Sequence, residues 1–200
     1  MRFLVLFFLL FPLTVTAQEN EPVDPIESVL EEFKEDEKKQ ETSFRYAPDF
    51  CDFEITFPEE PFTSRRCPPN AGNKCYKLQS YTMVYDLKTT VEVSVTCVPS
   101  DQRKFERYNE RVMRTALRGM VTNSNIDTYD IGYTEEETYK NASLNGSGGS
   151  GAQQKIYTAQ LWSGLNSVFT VEAKLTGRSH YEADTVFSDI LQTVHLKKED

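Results

Sequence analysis

The residues of this chain able to carry chemistry are few, and their spacing decides what they can do. Nucleophilic catalysis needs a nucleophile, a base and an orienting group that converge in space. The chain has only two histidines, His180 and His195. The first lies inside a helix-start pattern and the second beside a charged terminus, so both read as surface or capping residues. The four cysteines, Cys51, Cys67, Cys75 and Cys97, form an even set with no paired C-x₂-C spacing of the kind a zinc site uses. Two disulfides are the reading, which leaves no thiol to attack and no metal ligand set. Carboxylates alone can run a glycoside hydrolase, and Glu135-Glu136-Glu137 is the densest acidic run, but it falls in a loop without an aromatic sugar platform. Gly146-x-Gly148-x-x-Gly151 matches a dinucleotide-binding pattern formally. A strand follows it where that pattern needs a helix, so it reads as a loop. No catalytic, cofactor or metal residue is expected; an envelope hydrolase using carboxylates is the alternative.

Which cysteines pair is open among three connectivities. Cys51 is in register with Phe53, Ile55 and Phe57, and Cys97 with Val91, Val93 and Val95, so both point to the apolar side of a strand. That favours Cys51 with Cys97 and leaves Cys67 with Cys75 across Pro68-Pro69-Asn70-Ala71-Gly72. A simple three-strand meander argues against it, because it puts Cys51 and Cys97 at opposite ends.

The segments that must position these residues begin after Met1–Ala17, one positive charge followed by an apolar run ending in small residues, which reads as a secretory signal peptide. Its apolar core is shorter than the roughly 20 residues of a membrane span. The expectation is an exported chain, periplasmic or extracellular, that does not span the membrane. Residues 18–44 form an acidic leader with ten acids against three bases, net −7, while residues 45–200 carry twenty-one against eighteen, net −3. Ile26, Val29, Leu30 and Phe33 give the leader a two-turn apolar stripe, so it is a flexible spacer or a partner-binding helix. A domain this close to charge balance has no electrostatic footprint for nucleic acid or an anionic bilayer.

Residues 45–200 read as one α+β domain. Cys51–Phe57 alternates and stops at Pro58; Tyr76–Tyr85 is a strand whose apolar parity shifts between Leu78 and Tyr81, as a bulge at Gln79 or Ser80 would cause; Thr90–Val98 is a third strand. Pro99-Ser100 starts one long helix with Phe105, Tyr108, Val112, Met113, Ala116, Leu117 and Met120 on its apolar face. Arg107, Arg111, Arg114 and Arg118 lie on the other, either a solvated face or a contact for an acidic partner. Strand candidates at 126–133 and 138–144 precede a glycine-serine loop, Asn145–Gly151. Asn141-Ala142-Ser143 and Asn145-Gly146-Ser147 are glycan acceptors only in a eukaryotic secretory pathway.

The closing segment reads strand, turn, strand, turn, helix. Tyr157, Ala159 and Leu161 share one face of the first strand, and Phe169, Val171, Ala173 and Leu175 one face of the second, around Ser163-Gly164-Leu165-Asn166. Ser179-x-x-Glu182 has capping-box spacing, and Ala183, Val186, Phe187, Ile190, Leu191 and Val194 form a helical stripe expected to lie on that hairpin. Trp162 has the parity opposite Tyr157, Ala159 and Leu161, and is either a packing residue or an exposed contact.

Phe53-x-Ile55-x-Phe57-Pro58-x-x-Pro61, a Tyr-rich strand, a Val-rich strand, a long helix and the final hairpin with its Phe187-Ser188 helix together resemble the Mog1p/PsbP-like superfamily in its exported bacterial type, over Arg45 to Leu196. That resemblance implies an antiparallel sheet flanked by helices in an α/β sandwich. It also implies an accessory or binding role with a protein partner in the cell envelope, since the superfamily includes a photosystem II subunit, a nuclear-transport GTPase partner and exported bacterial proteins. A purely structural assembly subunit is a further alternative. The four cysteines belong to no motif of that superfamily, and none of its binding residues transfers by position.

Overall fold

Strict alternation in the Val-rich segment makes one strand the spine of the domain. In β5 (Thr89–Pro99), Val91, Val93 and Val95 are fully buried while Glu92 is exposed. The computed structural model describes residues 43–67, 75–122 and 124–198, all in the unit Glu41–Asp200. The signal peptide, the leader before Ser43 and the Pro68–Gly72 turn lie outside the described residues.

Seven strands form one antiparallel sheet in the order β3 (Phe62–Arg66), β4 (Tyr76–Tyr85), β5, β9 (Ser167–Gly177), β8 (Lys155–Gly164), β7 (Tyr139–Gly148), β6 (Thr128–Glu135). Two runs of sequential hairpins are thus joined by the long-range pair β5–β9, in which Val93 faces Ala173 and Cys97 faces Phe169. A second, three-stranded sheet, β1 (Phe44–Tyr46), β2 (Phe53–Phe57) and β10 (His195–Leu196), lies apart from the first. β2 is therefore not part of a meander with β4 and β5. Its Phe53, Ile55 and Phe57 pack with the buried residues of β5 and β9, which removes the objection to a Cys51–Cys97 pairing.

The large sheet is buried on both faces, but over different strands. On one face, the β5 and β9 residues meet β2 and helix α3 (Tyr181–Gln192) through Ala183, Phe187 and Ile190. On the other, Ile131, Ala142, Leu144, Tyr157, Ala159 and Leu161 of β6, β7 and β8 meet Met113, Leu117 and Val121 of helix α2 (Glu110–Val121). This is an α+β sandwich, an antiparallel sheet flanked by helices, as the sequence led us to expect. The single apolar surface expected of the closing hairpin is corrected. Its tight turn pairs Trp162 with Phe169 and Leu161 with Thr170, so the two apolar stripes emerge on opposite faces of the sheet. Only the β9 stripe receives α3.

Four further expectations change. β4 pairs without interruption from Leu78 to Tyr85, so no bulge forms. Instead the polar Gln79 occupies the inner face, 5% exposed, where Thr63 Oγ1 donates to its Oε1 at 2.7 Å. The long helix is two: α1 (Gln102–Arg107), capped by Asp101, and α2, capped by Asn109, whose Oδ1 accepts from Val112 N at 3.1 Å. Asn109 competes for the amides that would continue α1, and a cap in mid-run divides the helix. The cap of α3 is His180, not Ser179: its Nδ1 accepts from Ala183 N at 3.4 Å, while Ser179 Oγ bonds Asp184 at 3.3 Å. Finally, Asn145–Gly148 is strand rather than loop. A Cβ on Gly148 would stand 2.3 Å from Asn125 O, so close packing against the neighbouring chain, and not flexibility, requires glycine there. Of the glycines in residues 145–151, Gly149 and Gly151 adopt the left-handed conformation.

Candidate binding cleft

Where the two sheets meet, β1 and the loop after it stand off from the first residues of β4 and the last of β5. The gap is a cleft of about 900 Å³. Tyr46, Ala47, Pro48 and Phe50 come from the first side, Cys75 and Tyr76 from the strand opposite, and Cys97, Val98 and Pro99 from the end of β5. The chain reaches this geometry because Cys51, one residue past Phe50, is bonded to Cys97, with the two Cα atoms 6.2 Å apart. Cys67 and Cys75 are bonded as well. One half-cystine of each bridge thus borders the cleft, and the walls are braced on both sides.

Polar groups are sparse and of one sign. Arg45, Lys77 and Lys104 line the cleft, and among the described residues no carboxylate does. Arg45 is held by Glu54, its Nε 3.0 Å from Glu54 Oε2, and Lys104 Nζ lies 3.8 Å from Asp101. Lys77 has no carboxylate within 4 Å among the described residues. At the floor, burial pushes the Tyr46 phenol above its ordinary value, against the opposing pull of hydrogen bonds with Gln79 and the Cys97 backbone. It stays neutral at physiological pH and presents an aromatic face with a polar tip.

The residues singled out in the sequence do not converge here. Trp162 is a packing residue: it is half-buried beneath the small sheet, its ring 5.5 Å from Phe53 and 5.7 Å from Tyr139, with Nε1 donating to Gln160 at 2.9 Å. Arg107, Arg111 and Arg118 are exposed. Arg114 is engaged, bonding Glu110 at 2.8 Å and the Ile131 carbonyl at 2.6 Å, where it ties α2 to the sheet edge. The break at Asn109 separates Arg107 from the other three. Glu135 ends β6 and is likewise committed: a 2.7 Å bond from the Tyr133 hydroxyl, then Lys140 at 3.0 Å, hold its carboxyl below the usual range. His180 Nε2 sits 3.4 Å from Asp86, and His195 Nε2 3.4 Å from Glu54. The sequence missed the cleft because its lining comes from four separate stretches, β1 with the loop after it, the start of β4, the end of β5 and α1, each contributing one to five residues with no motif. The one available signal was Phe50, an aromatic outside any strand pattern and 46% exposed.

Among the described residues no group of three or more His, Cys, Asp or Glu could hold a metal ion, and no helix is long and apolar enough to cross a membrane. No family model matches the chain, and no curated protein matches it. Solved structures similar to it include the cyanobacterial PsbP (CyanoP) from Synechocystis, with a TM-score of 0.44 and 11% identity over 78% of this chain and 93% of that one. The Ran-binding protein Mog1p of Saccharomyces cerevisiae is similar with a TM-score of 0.39 and 7% identity over 78% and 95%, and a mutant form of Mog1 with 0.39 and 8% over 78% and 96%.

Proposed function

We propose that this chain is an exported accessory protein of a cell envelope that works by binding and catalyses no reaction, and that the cleft beside Phe50 is where it binds. The observation that carries this reading is the cleft itself: about 900 Å³, mostly aromatic and aliphatic in lining, with Arg45, Lys77 and Lys104 as its charged residues among those described. Binding sites for small molecules and chain segments have this make-up, an apolar body with a few placed polar groups. The groups from which a reaction centre would be built are occupied elsewhere. All four cysteines are in disulfides, and both histidines are in contacts that hold the fold. Export is supported by the Met1–Ala17 segment and by the disulfides, which persist in oxidising compartments.

Two measurements test this. Intact mass of the protein recovered from its native host is expected to begin at Gln18, and a mass retaining Met1–Ala17 overturns export. A photo-crosslinking benzoylphenylalanine at Phe50 should trap one discrete species, while the same group at Leu87, which is 94% exposed at the opposite end of β4, should trap none. Equal or absent products from both positions count against the cleft.

A further inference from the structure

We infer that the cleft takes a small anionic amphiphile, an alkyl chain ending in a carboxylate or phosphate, with the chain against Tyr46, Phe50, Tyr76 and Val98 and the anion drawn to Lys77. This rests on the binding reading above and names its ligand class.

Three features converge on that chemistry. First, the chain as a whole is acidic, net −9, yet among the described residues every charged one lining the cleft is a cation. A local reversal of sign against the global charge selects anions at the site without attracting polyanions from a distance. Second, two of the three cations already have carboxylate neighbours, Arg45 with Glu54 and Lys104 with Asp101, whereas Lys77 has none among the described residues. Lys77 is exposed, so it needs no partner for the fold to stand. A compact ammonium on a flexible stem suits a point anion better than a flat bidentate one. Third, the apolar walls are rigid. Cys97 is covalently tied to Cys51, and Tyr46 is buried, so the cleft is formed before the ligand arrives and association orders little protein. Phe50 is 46% exposed beside these walls, an aromatic surface that an alkyl chain would cover.

The test is titration calorimetry of the full mature chain with dodecanoate and dodecyl phosphate, each below its micelle concentration, beside dodecanol and dodecyltrimethylammonium. At least one anion should bind with one-to-one stoichiometry, and the uncharged and cationic analogues about tenfold or more weaker, the scale of one charge pair. Which anion binds tighter assigns the source as fatty acid or phospholipid-type headgroup. Lys77→Glu should weaken the anion about tenfold and leave dodecanol unchanged, with an unchanged thermal midpoint showing that the fold is intact. Phe50→Asp, at the exposed ring of the wall, should weaken all alkyl ligands. Absence of binding by both anions overturns the ligand class, as does equal binding of all four compounds or an anion affinity indifferent to both variants. A discrete protein trapped at Phe50 together with silent titrations overturns the ligand class alone and leaves the accessory reading standing; silence in both removes both.

Discussion

Asp52 closes the β8–β9 hairpin through Ser167, whose backbone amide and hydroxyl both donate to Asp52 Oδ2 at 2.9 Å, across 115 residues of chain. Ser167 Oγ accepts in turn from the Asp52 amide at 2.8 Å, and Asn166 adds bonds from its backbone to Oδ2 and its side chain to Oδ1 at 2.9 and 3.0 Å. One carboxylate thus pins the small sheet to a turn of the large one, immediately beside Cys51. Gly164 makes room for it, because a Cβ there would stand 2.2 Å from Asp52 Oδ2.

Asp52→Ala should therefore destabilise the domain by about 2–3 kcal/mol, the cost of losing bonds to a charged acceptor and stranding a buried hydroxyl. Gly164→Ala should cost a comparable amount in the native protein and much less in the Asp52→Ala background. Chemical denaturation of the four proteins of this cycle checks it, and strict additivity would contradict the contact.

Phe187 is the largest side chain that α3 inserts into the core shared with β2, β5 and β9, and it is 7% exposed. Phe187→Ala should cost about 3–5 kcal/mol from lost transfer energy and the cavity left behind. A thermal midpoint within a degree or two of the native protein would mean that the helix does not pack through this stripe.

The two disulfides close loops of different length, with separations of 46 and 8 residues. In the chain-entropy model the longer one stabilises by about 4 kcal/mol and the shorter by about 2.5 kcal/mol. Replacing Cys51 and Cys97 by serine should lower the midpoint more than replacing Cys67 and Cys75. Thiol titration of the unfolded, unreduced protein should find no free cysteine.

His180→Ala should not be silent, as a surface reading of this residue would have it. The imidazole accepts from Ala183 N, lies against the Tyr85 ring at 5.2 Å and faces Asp86 at 3.4 Å. Losing a helix cap costs about 0.5–2 kcal/mol, and His180→Asn, which keeps a capping acceptor, should recover much of it in a urea melt.

The sequence by itself determined the local grammar. Alternation in Phe53–Phe57, Thr89–Pro99 and Ser167–Gly177 marked strands with one buried side, the short link at Leu165-Asn166 marked an antiparallel hairpin, and the spacing from Ala183 to Ile190 marked the stripe of α3. These signals are legible because burial periodicity is a property of one element at a time. Tertiary structure alone decided which elements meet. A period of two says that a face is covered and is silent about its partner, so nothing in Tyr157, Ala159 and Leu161 reveals that α2, and not α3, lies over them. Nor could alternation pair β2 with β10, or bring β5 beside β9, since the partners in both pairs lie far apart in the chain. The cleft is the extreme case. It exists only as the space left between Tyr46, Tyr76 and Val98 once those long-range choices are made, and no residue in it carries a pattern that announces it.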